Sequence, residues 1–449
     1  MGSLSALFKN KASKFNFAVI FILLLGLFLR IHNYTQSPPR GSSSDEYSYS
    51  FMGVSLLTKG VPTTWSNLQA YEKFGSKRQN LTIDNIYFPL VTPYFDHPPL
   101  NGILVGGWAL LNGENTFEKV TTRTIRQVPI FLGMISSLLL FLLTLNLYGK
   151  KTAVWALLIY SCSTIIVMNT RFVFAENLVT PLLLLSLLIL VVVKKNLSIK
   201  QILLLSLLSG LAFWAKEFGL VVFFTTLSIL IYEKTKWKYI ALFTIFSIFL
   251  MSLYLLYGYL YNWELYKAVI FTQSSRIVGP NTLYTLFFHP IIVNKLYFDG
   301  WYLLGFVSFF AAFKNFSKNK FILLPSFIYF FIMLFFLNHE GEMGWYMITM
   351  FPFFSILTAS LLVESIKKKG WYIFVTSIFV GMYIAQYLLD LKYGLTNLGF
   401  RFFLVSLLLP LFASYVLKRE KIYSFLSNVW FYGLILATIY ITYYYIHPL

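Results

Sequence analysis

The sequence predicts an all-α polytopic membrane protein, and three observations carry that prediction. Of its 449 residues, 58% are hydrophobic, 20% aromatic and only 12% charged, against about 25% charged in soluble domains. Apolar runs long enough to span a bilayer recur along the whole chain. Nearly every second connection between them is short and basic, the pattern of cytoplasmic loops.

About 13 segments meet the length needed for a span, roughly 17–25 apolar residues each. They lie near 15–31, 127–147, 152–169, 177–193, 200–215, 218–232, 239–260, 297–313, 321–337, 345–363, 371–389, 402–417 and 424–446. The first, "FNFAVIFILLLGLFLRI", is followed by no small-residue cleavage site and reads as a retained anchor. The basic connections are "KNKASK" at the start, "GKK" (149–151), "KK" (194–195), "EKTKWK" (233–238), "KNFSKNK" (314–320), "IKKKG" (366–370) and "KREK" (418–421). They set the N-terminus inside and the C-terminus outside, in a plasma membrane.

This topology accounts for the net charge of +19. With Lys200 and Glu364 added, the inner segments hold 20 Lys/Arg against three acids (Glu233, Glu364 and Glu420), leaving 16 basic and 14 acidic residues elsewhere. The basicity is thus a topology signal, and nucleic-acid binding is not needed to explain it. Asp and Glu contribute little to orientation, so the collection of 14 of 17 carboxylates on the outer side marks where chemistry is expected. The single Cys162 excludes an internal disulfide framework.

The outer connections are long. The segment 32–126 far exceeds an ordinary loop and is rich in Tyr, Trp, Phe and Leu, so it is expected to be ordered and functional. It opens with "SPPRGSSSDEYSYSF", where Asp45 and Glu46 are adjacent. Its stretch "PPLNGILVGGWALLNG" (98–113) is too short for a span and fits an interfacial or re-entrant helix. A second outer loop, 261–296, carries Arg276 and His289, and a third is "LNHEGEMGWY" (337–346).

Ionisable residues also stand at the outer ends of spans: Arg126, Arg171 with Glu176, and Lys216 with Glu217 inside "SGLAFWAKEFGLVVFF". Charges there need a polar cavity or a partner. Two structural alternatives stay open, a salt bridge between Arg171 and Glu176 and a tight turn whose lysine snorkels to the headgroups. Cations at an outer cavity suit a lipid phosphate. A neighbouring carboxylate suits deprotonation of an attacking hydroxyl or amine. Together they describe transfer of a group from a lipid phosphate to a nucleophile.

The ordered motifs resemble the GT-C glycosyltransferases that use polyprenyl-phosphate sugars, in the protein O-mannosyltransferase and lipid A aminoarabinose-transferase branch. They run "SSDEYSYS", "YFDHPPL" (94–100), "LNGENTF", "RTIRQVPIFLGMISSLLLFLLTLNLYGKKTAVWALLI", "NTRFVFAEN", "SGLAFWAKEFG" and "GWYMITMFPFFSIL" (344–357). The resemblance implies a single GT-C-like integral membrane domain over 1–449, with juxtamembrane helices in a long first extracytoplasmic loop. The chain ends just after its last span, so the C-terminal soluble domain of some relatives is not expected.

By the same resemblance Asp45 is the catalytic base and Glu46 orients it or contacts the sugar. His97, Arg126, Arg171 and Lys216 would hold the donor phosphate, although His97 stands where some relatives use Lys. Asp96, Glu176, Arg276, His339, Glu340 and Tyr346 would line the substrate pocket. Relatives often carry Asp in place of Glu176, and "KG" where this chain has "KEFG". No cofactor is required, since the leaving group is a lipid monophosphate. A divalent metal is an optional addition for which Asp96, His97 and His339, with His289 and Glu340, have suitable N and O atoms. The implied partners are a polyprenyl-phosphate sugar, an acceptor protein, lipid or glycan, and membrane lipids. The alternative from another class is a polytopic transporter or lipid-linked glycan flippase, which would show internal repeats and charges near the midplane.

Overall fold

The computed structural model describes residues 14–74, 77–83, 86–193, 197–275, 299–336, 344–390 and 396–446. It is a bundle of apolar helices carrying a mixed juxtamembrane layer at one end. In chain order the main helices are α1 (Lys14–Ile31), α2 (Asp45–Lys59), α3 (Leu100–Leu111), α4 (Gln127–Tyr148), α5 (Lys150–Cys162), α6 (Thr164–Asn169), α7 (Glu176–Val193) and α8 (Ile199–Ala215). They continue with α9 (Leu220–Tyr232), α10 (Trp237–Ser274), α11 (Gly300–Ala312), α12 (Phe316–Phe336), α13 (Phe351–Lys368), α14 (Tyr372–Asp390), α15 (Asn397–Val416) and α16 (Glu420–Tyr444).

Each of the 13 expected apolar segments coincides with helix. Six helical stretches are long and apolar enough to cross a membrane on length and composition alone: Thr122–Tyr148, Glu176–Val193, Trp237–Ser274, Gly300–Leu334, Gly344–Lys368 and Glu420–Tyr444. The remainder are shorter apolar helices, so the protein is an integral membrane protein. The expected span 152–169 is two helices, α5 and α6, separated at Ser163, whose backbone leaves the helical region (φ −59°, ψ 127°). Asp299 fastens that break, accepting from Ser163 Oγ at 3.1 Å and Ile165 N at 3.3 Å while capping α11.

Two apolar cores hold the molecule. One runs through the bundle and includes Trp155, Met168, Phe243 and Phe353. The other lies in the juxtamembrane layer and joins Tyr47, Phe51, Phe88, Tyr94, Phe95 and Val105 to Tyr254 and Tyr266 of α10. Between α2 and α3 lies a small antiparallel sheet that the all-α expectation omits. Its strands β1 (Thr64–Trp65), β2 (Lys77–Ile83) and β3 (Ile86–Thr92) are ordered β1-β3-β2, with Thr64 opposite Val91 and Arg78 also opposite Val91 on the other side. The sheet forms because "KRQNLTI" and "IYFPLVT" supply β-branched and aromatic residues on both sides of a reversal.

Glycines decide how closely α2 and α3 meet. A Cβ at Gly53 would lie 1.8 Å from Gly102 O, and one at Gly106 would lie 2.4 Å from Val54 N. Only residues without a side chain let these two backbones touch. The contact fixes the head of α2, with Asp45 and Glu46, relative to the chain that enters α3, with Asp96 and His97.

Candidate functional site

The site lies where the head of α2, the entry to α3, the start of α7, the α8–α9 break and the turn 344–350 converge. Asp45 is the first residue of α2, where a carboxylate complements the helix dipole. Its backbone N–H donates to Ser43 Oγ at 3.3 Å. Its half-buried carboxylate accepts no hydrogen bond from any described residue. Glu46, next along, turns inward and is fully buried.

Glu46 receives a two-pronged contact from Arg126, Nε to Oε1 at 2.9 Å and Nη2 to Oε2 at 2.7 Å. Arg126 also donates to the carbonyls of Tyr34, Pro38 and Pro39 at 2.9, 2.6 and 3.4 Å. A guanidinium has five N–H donors, so all of them are spent within the protein. Arg171 is likewise buried and ties the end of α1 to the α6–α7 link. It donates to the carbonyls of Ser37 at 2.6 Å, Leu29 at 2.6 Å and His32 at 2.7 Å. Arg126 therefore has no N–H left for a phosphate oxygen, and of Arg171 only the buried Nε lacks a partner among the described residues. The salt bridge offered between Arg171 and Glu176 is not formed.

Glu176 pairs instead with Lys216. Lys216 Nζ donates to Glu176 Oε1 at 2.6 Å, and both side chains are almost completely buried. Lys216 reaches this position because the helix stops beneath it: its backbone is extended (φ −165°, ψ 152°) and α8 resumes as α9 only after a short turn. Gly219 allows that turn to fold against α8, since a Cβ there would lie 1.9 Å from Ala212 O. The Lys216 ammonium stands 4.3 Å from the Tyr346 ring centroid, a cation–π contact. Tyr346 is set by Tyr329, whose hydroxyl donates to the Tyr346 carbonyl at 2.7 Å. Glu176 Oε2 is buried without a partner.

The chain entering α3 supplies Asp96 and His97. Asp96 accepts from Ser66 Oγ and Tyr71 Oη, each at 2.6 Å. Burial first, and then the Asp96 carboxylate, push the Tyr71 phenol well above its ordinary range, which keeps it a donor. His97 stacks on Tyr49 with ring centroids 5.4 Å apart. Its Nδ1 lies 3.9 Å from Glu217 Oε2, beyond hydrogen-bond distance.

Tyr49 is the hub that the sequence reading passed over. Its phenol is pushed well up, chiefly by burial and then by the carboxylates of Glu176 and Asp45, with Glu217 also contributing. One buried hydroxyl therefore lies within electrostatic reach of three carboxylates from three elements. Asp45, Tyr49, His97, Glu176, Lys216, Glu217 and Tyr346 thus form one constellation. Arg276, His289, His339 and Glu340 lie outside the described residues. Among the described residues no three His, Cys, Asp or Glu side chains are grouped to hold a metal ion.

Residues 96–255 match the family described as dolichyl-phosphate-mannose-protein mannosyltransferase. No curated protein matches the chain by sequence. ArnT from Cupriavidus metallidurans in the apo state has 12% identity over 95% of this chain and 76% of its own, with a TM-score of 0.53. The same protein bound to undecaprenyl phosphate gives 13% identity, the same coverages and a TM-score of 0.55. The apo oligosaccharyltransferase of Archaeoglobus fulgidus has 12% identity over 98% of this chain but only 57% of its own, with a TM-score of 0.55.

The chain is therefore an integral membrane protein with the GT-C glycosyltransferase fold. Within it, the segment from Asp96 to Leu255 carries the match to the dolichyl-phosphate-mannose-protein mannosyltransferase family. The resemblance read from the motif order is met again in both findings.

Proposed function

We propose that this protein transfers a sugar from a polyprenyl-phosphate donor to an acceptor at the extracytoplasmic face, with inversion at the anomeric carbon. The observation that carries this reading is Asp45, a half-buried carboxylate with no hydrogen bond from the described residues, one helical turn before Tyr49 in the constellation whose buried cation is Lys216. The GT-C fold and the family match support the donor class, and the ArnT structure with undecaprenyl phosphate supplies the analogy.

In the reaction the acceptor hydroxyl or amine attacks C1 of the donor sugar while Asp45 takes its proton. The C1–O bond breaks and its electron pair stays on the phosphate oxygen. The donor phosphodiester thereby becomes a phosphomonoester and gains negative charge. Lys216, already fixed by Glu176 and Tyr346, is the described cation suited to meet that charge without reorganising. His97, the other cation expected at the phosphate, stands beside the Glu217 carboxylate and is left to the sugar side of the donor. Glu46 acts by anchoring the helix head that presents Asp45. As written, the step needs no metal or other cofactor.

The basic connections 149–151, 233–238, 314–320, 366–370 and 418–421 support a cytoplasmic N-terminus and an extracytoplasmic site. The test is transfer in proteoliposomes from radiolabelled polyprenyl-phosphate sugars to added protein, lipid and glycan acceptors. Labelled acceptor with release of polyprenyl phosphate is the expected result. Movement of intact donor across the bilayer without transfer would overturn the reading in favour of a flippase.

A further inference from the structure

We propose that Glu217, with His97 beside it, is the subsite that reads the hydroxyls of the donor's sugar ring. This rests on the donor reading above and adds the residue that selects the sugar. Three observations lead to it. The Glu217 side chain is 35% exposed, and its one ion-pair contact is His97 Nδ1 at 3.9 Å, too long for a hydrogen bond. Two buried atoms of the stacked Tyr49–His97 pair beside it, Tyr49 Oη and His97 Nδ1, have no hydrogen-bond partner among the described residues. Buried polar atoms are almost always partnered, so two orphans in one ring pair, with an accessible carboxylate against its imidazole, point to a polar ligand that enters from outside the chain.

The chemistry of the surroundings narrows that ligand. Glu217 repels a phosphate, which belongs on Lys216. One carboxylate and one imidazole, with no third ligand grouped among the described residues, do not make a metal site. A carboxylate accepts two adjacent hydroxyls strongly, because each bond is charge-assisted. Tyr49 and His97 present stacked rings beside it, which suits the alternating C–H faces and hydroxyl edges of a neutral pyranose.

The placement fits one continuous donor. Lys216 and Glu217 are consecutive, about 3.8 Å apart at Cα, yet their side chains diverge. The ammonium goes to Glu176, and the carboxylate goes to His97. A phosphate on the first and its C1-linked ring on the second belong to a single molecule. A sugar bearing a carboxylate would be rejected by like-charge repulsion.

The test measures binding of three probes to the full-length protein in nanodiscs: undecaprenyl phosphate, undecaprenyl-phosphate mannose and undecaprenyl-phosphate mannuronate. Wild type should bind the mannosyl lipid at least about tenfold more tightly than the mannuronosyl lipid, as expected for charge-assisted hydrogen bonds gained by one and repulsion suffered by the other. Glu217→Gln should lose about tenfold or more for the mannosyl lipid, narrow the gap to the mannuronosyl lipid, and bind bare undecaprenyl phosphate within twofold of wild type. Equal weakening for the mannosyl and bare lipids, or no change for either, would overturn the subsite. Failure of wild type to bind even the bare lipid would instead remove the donor reading, and the subsite with it.

Discussion

Lys216 and Glu176 form a buried ion pair, Nζ to Oε1 at 2.6 Å, across 40 residues of sequence and between the α8–α9 break and the start of α7. Such a pair is a poor source of net stability, because desolvation offsets much of the attraction, but breaking it from one side is costly. That asymmetry separates its structural role from its role toward the donor. Lys216→Met should destabilise the protein by about 3–5 kcal/mol and abolish donor binding. The double variant Lys216→Met/Glu176→Leu should recover most of the thermal stability and none of the binding. Recovery of both would remove Lys216 from the donor site.

Arg126 offers the converse case. With five donors spent on Glu46 and three carbonyls, Arg126→Lys leaves several acceptors unmet in the interior, since lysine has three donors and no planar fork. We expect Tm to fall sharply, with undecaprenyl phosphate affinity unchanged in the molecules that remain folded. A phosphate-binding Arg126 would give the opposite split, with Tm preserved and affinity lost.

The glycine contact between α2 and α3 sets the relative placement of Asp45 and His97. Gly106→Val puts a branched side chain where a Cβ alone would meet Val54 N at 2.4 Å. Transfer should drop by orders of magnitude, and protease digestion should show the juxtamembrane layer loosened while the helical bundle stays protected. Gly60→Ala is the control. That glycine caps α2 at φ +69° with open space around it, so the cost is the backbone term alone, about 1 kcal/mol.

Asp96 is held by Ser66 and Tyr71. Tyr71→Phe removes the hydrogen bond to the charged Asp96, worth about 1.5–3 kcal/mol, and the one the hydroxyl accepts from Phe95 N at 2.8 Å. The expected outcome is a lowered Tm with the KM for donor raised, because the chain that carries His97 loses its fixing point. An unchanged KM would detach this strut from the donor site.

How much of this was legible in the sequence follows from what kind of signal each feature leaves. The helical segments were visible because long apolar runs and lysine clusters at their ends are strong and local. The β2–β3 hairpin was passed over inside a segment read as loop, although "IYFPLVT" carries the β-branched and aromatic residues of a strand. The sequence offers Arg171 as one possible partner of Glu176 because it is near along the chain, whereas the actual partner, Lys216, is brought in by the arrest of α8. The saturation of Arg126, and the hold of backbone carbonyls on the terminal nitrogens of Arg171, leave no mark in a sequence. Tyr49 was findable: it follows Asp45 by four residues in "DEYSY", and on a helix that spacing puts both on one face.

The central claim is that Asp45 deprotonates the acceptor, and Asp45→Asn tests it most directly. The substitution preserves shape, and no hydrogen bond from the described residues is lost. Turnover of radiolabelled polyprenyl-phosphate sugar in proteoliposomes should fall by about 10²–10⁴-fold, the range for a positioned general base, with donor affinity retained. Turnover equal to wild type in the Asn variant would contradict the account.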